Sequence, residues 1–274
     1  MIKKLKKKLK FIKNNNILYG IYKYIFLRKY LKVEKRIFQE LVKIEEFEVK
    51  DIYTLQEEIL LNFLKYSYQN TKYYRRVFDE NKIDINTIKS LEGIPLLTKD
   101  LIREYYDDLL SREYGKEVLC KRNTGGSTGE PLEFYSDRIA GYKDNAHHWY
   151  LYSLMGYKKG DIIIGSGGTV IPKELRDKNI FWIKEPRCSV WGQYDFSVLY
   201  ITDKNVKYYI NKLLEIKPAI MRGYPSFFAK MATYILENNI VLNFNIKGIN
   251  LTAEMCSVSQ RSDIEKAFST MIYF

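Results

Sequence analysis

The sequence of 274 residues has few of the residues from which disulfide frameworks and zinc sites are built. Its three cysteines, Cys120, Cys188 and Cys256, lie far apart, and none belongs to a CxxC pair. The two histidines, His147 and His148, are adjacent, so on a helix they would point in different directions. We therefore expect reduced thiols, as in a cytosolic protein, and no zinc site.

The sequence also lacks a long hydrophobic run. No apolar stretch approaches the roughly 18–20 residues that a membrane-spanning helix needs. The N-terminal segment lacks the apolar core and small residues of a secretory signal, so we expect a cytoplasmic protein. With 46% hydrophobic and 28% charged residues, the composition is typical of a globular chain rather than a disordered one.

Positive charge is concentrated at one end of the chain. Residues 1–13 hold seven lysines and no acid, and without these lysines the net charge of +12 falls to +5. We therefore expect no nucleic-acid-binding face. Ile2, Leu5, Leu9 and Ile12 recur at helical spacing among the lysines. The segment is either a solvated basic helix or a weak contact with an anionic surface at the inner face of the membrane.

Segments of helical periodicity alternate with short β-favouring segments, which predicts an α/β fold. We expect a basic helical segment over residues 1–48, followed by a domain over residues 49–274. The helix after residue 54 is expected to bury one stripe, formed by Leu55, Ile59, Leu60, Phe63, Leu64 and Ser67.

Several polar residues are placed to begin helices. Thr98 and Ser226 are predicted N-caps, and Ser257 with Gln260 predicts a capping box before a last helix that ends near Phe268. The stretch GDIIIGSGGT is predicted to form a strand, Ile162 to Ile164, that runs into a glycine loop.

The stretch RNTGGSTGEPLEF, residues 122–134, concentrates glycines, threonines and a serine within a few residues. The flanking segments EVLC and LEFY favour strands, which predicts a strand–loop–strand arrangement. Successive N–H groups in a glycine-rich loop can point into one hollow and bind a phosphate. The pattern matches neither the GxxxxGK[ST] loop nor GxGxxG. A flexible hairpin tip is the alternative.

The loop TGGSTGEP, residues 124–131, resembles the T-S-G-[ST]-T-G-x-P phosphate-binding loop of adenylate-forming enzymes. Other segments resemble the phenylacetate–coenzyme A ligase-like branch, which includes the CapK-type proteins of capsular polysaccharide loci. In chain order these segments are LQEEILLNFLKYSYQNTKYYRRVF, LEGIPLLTKDLIREYYDDLLS, GYKKGDIIIGSGG, KPAIMRGYPSFFAKMA and INLTAEMCSVSQRSDIEKAF. The resemblance covers the chain from about residue 50 to the end.

The resemblance implies the front part of the large N-terminal domain of an enzyme that binds ATP, Mg²⁺ and a small carboxylic acid. Such enzymes form an acyl adenylate and often pass the acyl group to coenzyme A. The implied phosphate-gripping residues are Thr124, Gly125, Gly126, Ser127, Thr128 and Gly129. The residues implied to shape the acyl and adenylate pocket are Gly223, Tyr224, Pro225 and Ser226. Those implied to lie by the base and ribose are Thr252, Ala253 and Glu254.

Simpler interpretations of these residues stay open. The stretch GYPS is also typical of a plain turn with a helix cap, and Glu254 of a solvated loop acid. Glu130 stands where the family often has lysine, and a carboxylate repels a triphosphate. Lys121 or Arg122 is the candidate to compensate. Gly125 replaces the usual serine of the loop and removes one hydroxyl.

The printed sequence stops before the family's YG-x-[ST]-E glutamate, its ribose-binding aspartate and its C-terminal domain with the catalytic lysine. We therefore expect an incomplete part of an acid-activating enzyme related to capsular or surface polysaccharide synthesis, and we assign no catalytic residue. The alternatives are a non-catalytic nucleotide-binding module and a basic adaptor at a membrane surface.

Overall fold

The structure, a computed structural model, describes residues 28–88, 90–124, 131–184 and 190–274. The chain forms two compact units, one of Lys29–Ala146 and one that contains His147–Phe274. The expected boundary after residue 48 stays a prediction, because most of the segment before it lies outside these ranges. Within them, no helix has both the length and the hydrophobicity to cross a bilayer.

The first unit begins with helices. They are α1 (Arg28–Ile44), α2 (Val49–Asn70), α3 (Lys72–Glu80), α4 (Lys99–Glu104) and a short 3₁₀ turn (Lys116–Val118). The Thr98 hydroxyl accepts a hydrogen bond from the Leu101 N–H at 3.3 Å, which confirms Thr98 as the N-cap of α4. Thr71 caps α3 in the same way, through the Tyr74 N–H.

A small core joins α2 to α3, built from Leu64, Tyr73, Val77 and Phe78. The stripe predicted along α2 is only partly correct. Leu64 and Ser67 are buried and Leu60 packs against this core, but Ile59 and Phe63 are 59% and 60% exposed. One residue is a rotation of 100° on a helix, so the positions just before Leu60 and Leu64 turn outward once these two face the core.

An antiparallel hairpin follows, formed by β1 (Cys120–Asn123) and β2 (Glu133–Ser136). Asn123 pairs with Glu133, and Thr124 and Leu132 bond to each other just beyond them. The two strands of the predicted strand–loop–strand arrangement are confirmed. The residues between them, 125–130, lie outside the described part of the chain.

The helix α5 (Arg138–Leu154) leads from the first unit into the second, which is built on a six-stranded sheet. Its strands are β3 (Ile163–Gly167), β4 (Trp182–Lys184), β5 (Tyr194–Ser197), β6 (Ile220–Gly223), β7 (Gly248–Leu251) and β8 (Ile272–Tyr273). The spatial order is β4-β5-β3-β6-β7-β8, with β4 antiparallel to β5 and the other pairs parallel. The predicted α/β fold is confirmed.

The two faces of this sheet are covered differently. Alternate strand residues such as Ile164, Met221 and Ile249 share one apolar core with three helices. These helices are α7 (Val206–Ile216), α8 (Pro225–Glu237) and α9 (Val258–Phe268), whereas α6 (Lys173–Arg176) is a single turn. On the opposite face, Ile163 and Ile220 pack with Tyr152 and Met155 from the end of α5.

The predicted helix caps have different outcomes. Ser257 and Gln260 form the reciprocal bonds of a capping box at 3.2 and 3.0 Å, and α9 ends at Phe268 as expected. The prediction for Ser226 is wrong, because α8 begins at Pro225 with Tyr224 as the N-cap. Proline suits the first helical position, since its φ is already helical and it lacks the N–H that would be unsatisfied there.

An ion pair ties the amino ends of β3 and β7 together. Lys247 Nζ donates to Asp161 Oδ2 at 2.6 Å and to the Gly156 carbonyl at 3.0 Å. The Lys158 N–H donates to the same carboxylate at 2.6 Å. Burial by itself would raise the pKa of Asp161, but these bonds and the lysine charges outweigh it and hold the pKa below its ordinary value.

We expect Asp161→Asn to lower the free energy of unfolding at pH 7 by about 1.5–3 kcal/mol, because bonds to a charged group are lost. Because the pKa of Asp161 is lowered in the folded state, its carboxylate stabilises the fold fully at any pH above the unfolded-state pKa of about 3.9. This contribution disappears as the pH falls through the folded-state pKa. The difference in the free energy of unfolding between variant and wild type should therefore become smaller below about pH 4.

Urea titrations followed by tryptophan fluorescence measure this effect, because Trp149, Trp182 and Trp191 all lie in the second unit. The matched control is Asp177→Asn, which removes an exposed pair with Lys173 and should cost no more than about 0.5 kcal/mol. A gap that stays constant into strong acid would contradict the stabilising role of the Asp161 carboxylate.

Candidate functional site

The carboxyl edge of the sheet contains a point where the chain changes direction. After β3 the chain passes to β4 and then β5 on one side. After β6 it passes to β7 on the other side, although β3 and β6 are neighbours. Loops that leave two adjacent parallel strands in opposite directions open a crevice between them. In open α/β sheets this crevice is where ligands bind.

At this point β3 and β6 approach very closely. The Ser166 hydroxyl accepts a hydrogen bond from the Tyr224 N–H at 3.2 Å. A Cβ atom added to Gly223 would lie 1.8 Å from Ser166 Oγ, and the φ of Gly223 is +143°. Both the space and the backbone conformation therefore require glycine here. Ser166 was not predicted as a site residue, although the stretch GSGG around it hinted at a close approach.

The loop after β7 joins the same crevice. The Thr252 N–H donates to the Gly223 carbonyl at 3.0 Å. Glu254 Oε2 accepts a hydrogen bond from the Ser226 N–H at 3.1 Å, in the first turn of α8. The structure thus brings together two segments that are separate in the sequence, Gly223–Ser226 and Thr252–Glu254.

Ala253, between Thr252 and Glu254, adopts a left-handed conformation with φ +68°. For a residue other than glycine this conformation costs about 1–3 kcal/mol, and it persists where neighbouring contacts hold the backbone in place. Here those contacts are the bonds of Thr252 and Glu254 to the segment after β6. Such strain is typical of segments that serve a ligand.

The predicted glycine loop after β3 is partly wrong, because Gly165 and Gly167 lie within the strand. A Cβ on Gly165 would lie 2.3 Å from the Trp191 carbonyl oxygen, and one on Gly167 would lie 3.3 Å from Asp195 Oδ1. These glycines leave room for neighbouring groups rather than make a turn. Thr169 donates a hydrogen bond to the same Asp195 carboxylate.

A cation and two aromatic rings meet on the sheet face that carries Gly165. The Arg222 guanidinium lies over the Trp191 ring, 4.2 Å from its centroid. The His148 ring contacts the Trp191 ring edge to face at 5.0 Å. None of these residues was singled out as a site residue, because Arg222, Trp191 and His148 are scattered along the sequence and match no local motif.

The predicted phosphate loop belongs to the first unit. Thr124 closes its base, since its N–H donates to the Leu132 carbonyl at 2.9 Å and its hydroxyl accepts from the Leu132 N–H at 3.0 Å. Lys121 pairs with Glu133 at 2.7 Å, and Arg122 Nε contacts Ser136 Oγ at 3.3 Å. The remaining predicted members, Gly125, Gly126, Ser127, Thr128 and Gly129, lie outside the described residues.

A groove of about 340 Å³ lies far from the crevice, between the carboxyl ends of α8 and α9. It is lined by apolar residues such as Ile240, Leu242 and Phe244 together with Lys266. The groove lies at the amino edge of the parallel strands, at the end of the sheet opposite the crevice. It therefore serves as a control region in which a ligand of the crevice should have no effect.

We expect Gly223→Ala to lower the free energy of unfolding by about 2–5 kcal/mol, because a positive φ and a steric clash act together. Adding Ser166→Gly removes the nearest clash but keeps the unfavourable φ, so it should restore only part of the loss. The matched control is Gly168→Ala, where no atom lies within 4 Å of the added Cβ. Equal losses in Gly223→Ala and Gly168→Ala, by tryptophan fluorescence in urea, would contradict the close approach described above.

Comparisons with known proteins identify relatives of this chain. No family model matches the chain. Protein CapK from Staphylococcus aureus is 30% identical over 257 residues, which are 93% of this chain and 55% of CapK. Phenylacetate-coenzyme A ligase from Thermus thermophilus is 32% identical over 94 residues, which are 33% of this chain and 20% of that ligase.

Solved structures show the same fold at low sequence identity. The 2-hydroxyisobutyryl-CoA ligase in complex with 2-HIB-AMP and CoA, in the thioesterification state, matches with a TM-score of 0.61 at 16% identity, over 82% of this chain and 49% of that one. Its postadenylation state with 2-HIB-AMP matches with a TM-score of 0.56 at 18% identity, over 80% and 48%.

The chain thus spans about half the length of CapK and of the ligase in these structures. The match to CapK runs through nearly the whole chain, and the fold is that of an acyl-CoA ligase. The chain is therefore a CapK homologue within the phenylacetate–coenzyme A ligase-like branch of the adenylate-forming superfamily.

Proposed function

We propose that this chain binds ATP and a small carboxylic acid and takes part in forming an acyl adenylate. In that reaction a carboxylate oxygen attacks the α-phosphorus of ATP, a new O–P bond forms, and pyrophosphate leaves. The observation that carries the proposal is the crevice between β3 and β6, at the direction change of the sheet, in a homologue of acid-activating ligases.

The crevice has the chemistry that an adenylate requires. The beginning of α8 carries the partial positive charge of a helix N-terminus, which favours an anion. The Ser226 N–H in this first turn is bonded to Glu254, so the helix charge rather than a row of open N–H groups supports the assignment. We assign Gly223, Tyr224, Pro225 and Ser226 to the acyl and adenylate pocket. The strained turn at Ala253, with Thr252 and Glu254, is assigned to the base and ribose.

The loop from Thr124 to Gly129 is assigned to the β- and γ-phosphates of ATP, which enters with Mg²⁺ as part of the substrate. The hydrogen bonds between Thr124 and Leu132 support this assignment, because they hold the two ends of the loop together. Successive N–H groups in such a loop can point at one anion without the help of a strong cation.

Coenzyme A is the proposed acceptor of the acyl group, since the solved 2-hydroxyisobutyryl-CoA ligase is in complex with both 2-HIB-AMP and CoA. A role in capsular or surface polysaccharide synthesis is proposed from the resemblance to CapK-type proteins. We further propose a cytoplasmic location in which the lysines of residues 1–13 contact the inner face of the membrane.

Exchange of labelled pyrophosphate into ATP tests the proposal, with Mg²⁺ and a panel of carboxylic acids, alongside calorimetric titration with ATP. Acid-dependent exchange is the expected result. Binding of ATP without exchange would indicate a nucleotide-binding module that does not catalyse the reaction by itself. If the protein neither binds ATP nor catalyses exchange, the proposal is contradicted and an adaptor role is favoured.

We expect Arg122→Ala to weaken ATP binding about tenfold, whereas Lys121→Ala should change it less than about threefold. The two residues are adjacent on β1 and differ in their partners. Lys121 is neutralised by Glu133 at 2.7 Å, whereas Arg122 contacts the neutral hydroxyl of Ser136. Arg122 is therefore the better candidate to offset Glu130 in the loop. Equal effects of the two substitutions in calorimetry would reject this assignment.

A further inference from the structure

The helix α2 carries a row of side chains that are largely exposed. They follow one another at alternating spacings of three and four residues, which places them in one nearly straight row on the helix surface. The exposed fractions of its large hydrophobic side chains are 67% for Val49, 59% for Ile59, 60% for Phe63 and 37% for Tyr66. The row, which we call the α2 seam, consists of Val49, Ile52, Gln56, Ile59, Phe63 and Tyr66.

No charged residue lies on the α2 seam. The charged residues of this helix all lie on its other faces, and they are Lys50, Asp51, Glu57, Glu58 and Lys65. The small core of the first unit uses a neighbouring face, through Leu60 and Leu64. Isolated exposed apolar side chains are ordinary on a protein surface, whereas an uncharged row about 26 Å long is typical of a surface that contacts another protein.

Alternating spacings of three and four residues are the pattern of helix pairing. At this period the side chains of one helix fit between those of a second helix that crosses it at a small angle. A helix that only packs against the core of a globular unit uses a broader face with a period of 3.6 residues. The α2 seam is therefore suited to a partner helix.

The exposed area is near what a dimer needs. An aromatic side chain carries about 150–250 Å² of surface, so the exposed parts of Phe63 and of Tyr53 beside the seam, 60% and 63%, amount to roughly 200–300 Å². With Val49, Ile59 and the half-buried Ile52, the patch lies in the range of the largest apolar patches on monomers, about 300–600 Å², which are often functional. Two such faces with their polar rims approach the ~1,200 Å² of the smaller specific interfaces.

The sizes of the side chains indicate how two copies of α2 pair. Aliphatic residues occupy the amino-terminal part of the seam and aromatic residues its carboxyl-terminal part, where the Tyr66 hydroxyl contacts Ser111 Oγ at 2.7 Å. In an antiparallel pair, Val49 lies opposite Tyr66, Ile52 opposite Phe63 and Gln56 opposite Ile59. Large and small side chains then alternate across the pair, so the distance between the helices stays even. A parallel pair would place ring against ring at one end only.

We propose that α2 pairs with α2 of a second copy of this chain in antiparallel orientation, with the α2 seam as the interface of a dimer. Gln56 then lies next to the two-fold axis, where the amides of the two copies come within reach of each other. A single polar residue in an apolar seam lowers the affinity but fixes the register of the two helices. With this modest area, we expect a dissociation constant on the order of micromolar. The inference does not depend on the proposed function.

Sedimentation equilibrium of the full chain tests this proposal, over concentrations from about 1 to about 100 μM. The expected result is a weight-average mass that rises from the 32.6 kDa of the monomer towards twice that value. Ile59→Glu should weaken the association at least about tenfold, because it places two carboxylates beside the two-fold axis. The matched control is Leu91→Glu, which changes a leucine that is 63% exposed outside the α2 seam. It should alter the association less than about twofold.

Paired charges test the orientation of the two helices. Ile52→Lys and Phe63→Glu should each weaken the dimer when present alone. Combined in one chain, they place a lysine opposite a glutamate of the second copy at both ends of an antiparallel pair. The double variant should therefore associate at least about tenfold more tightly than Phe63→Glu alone. The two positions are eleven residues apart on one helix, about 16 Å, so the introduced charges do not pair within one chain.

Far-UV circular dichroism checks that each variant keeps its helices. If Ile59→Glu loses helical signal, Gln56→Glu provides the same comparison, because it introduces a carboxylate near the axis without changing an apolar side chain.

The remaining outcomes each overturn a part of the proposal. A wild type that stays monomeric over the whole concentration range overturns the dimer. A dimer that Ile59→Glu and Gln56→Glu leave unchanged overturns the assigned surface, and a double variant weaker than both single variants overturns the antiparallel orientation. If removal of residues 1–27 converts a monomeric chain into a dimer, that segment of the same chain covers the α2 seam, and the second copy is the wrong occupant.

Discussion

The contact between Ser166 and the backbone of Gly223 and Tyr224 is the constraint on which the crevice depends. It holds the carboxyl ends of β3 and β6 together at the point where their loops separate. A side chain larger than hydrogen at position 223 would occupy the place of the Ser166 hydroxyl. From this corner the chain continues directly into α8, so the position of the helix start follows from the same contact.

The rest of the second unit supports this corner from both sides. Below it, the apolar core shared with α7, α8 and α9 fixes one face of the sheet. At the amino edge, the pair of Asp161 and Lys247 joins the segments that enter β3 and β7. The remaining surface, at the carboxyl edge, is thus carried by rigid elements, as a site that must orient two reacting groups requires.

Much of the fold follows from local sequence patterns. The strands beside the glycine run, the cap at Thr98 and the capping box at Ser257 were predicted correctly, because each depends on residues close together in the chain. The stripe along α2 was predicted too wide, since periodicity does not show how much of an apolar face a neighbour covers. The N-cap was predicted at Ser226 but lies two residues earlier, at Tyr224, because Pro225 is the better first residue of a helix.

The candidate site was only partly accessible to sequence reasoning. The segments around Gly223 and Thr252 could be singled out from a family resemblance, but their hydrogen bond to each other arises from strand order. Trp191 and Arg222 come together only through strand order and the space left by Gly165. No local pattern indicates that these two residues meet, and a lone arginine in a strand is typical of an edge or surface position.

Hydrogen exchange of the backbone amides, with and without ATP and Mg²⁺, tests the central claim most directly. The account predicts slower exchange in peptides that cover residues 222–226 and 252–254. It predicts no change around the groove at residues 235–245. Protection confined to that groove, or none in either region while calorimetry detects bound ATP, would contradict the placement of the nucleotide at the carboxyl edge of the sheet.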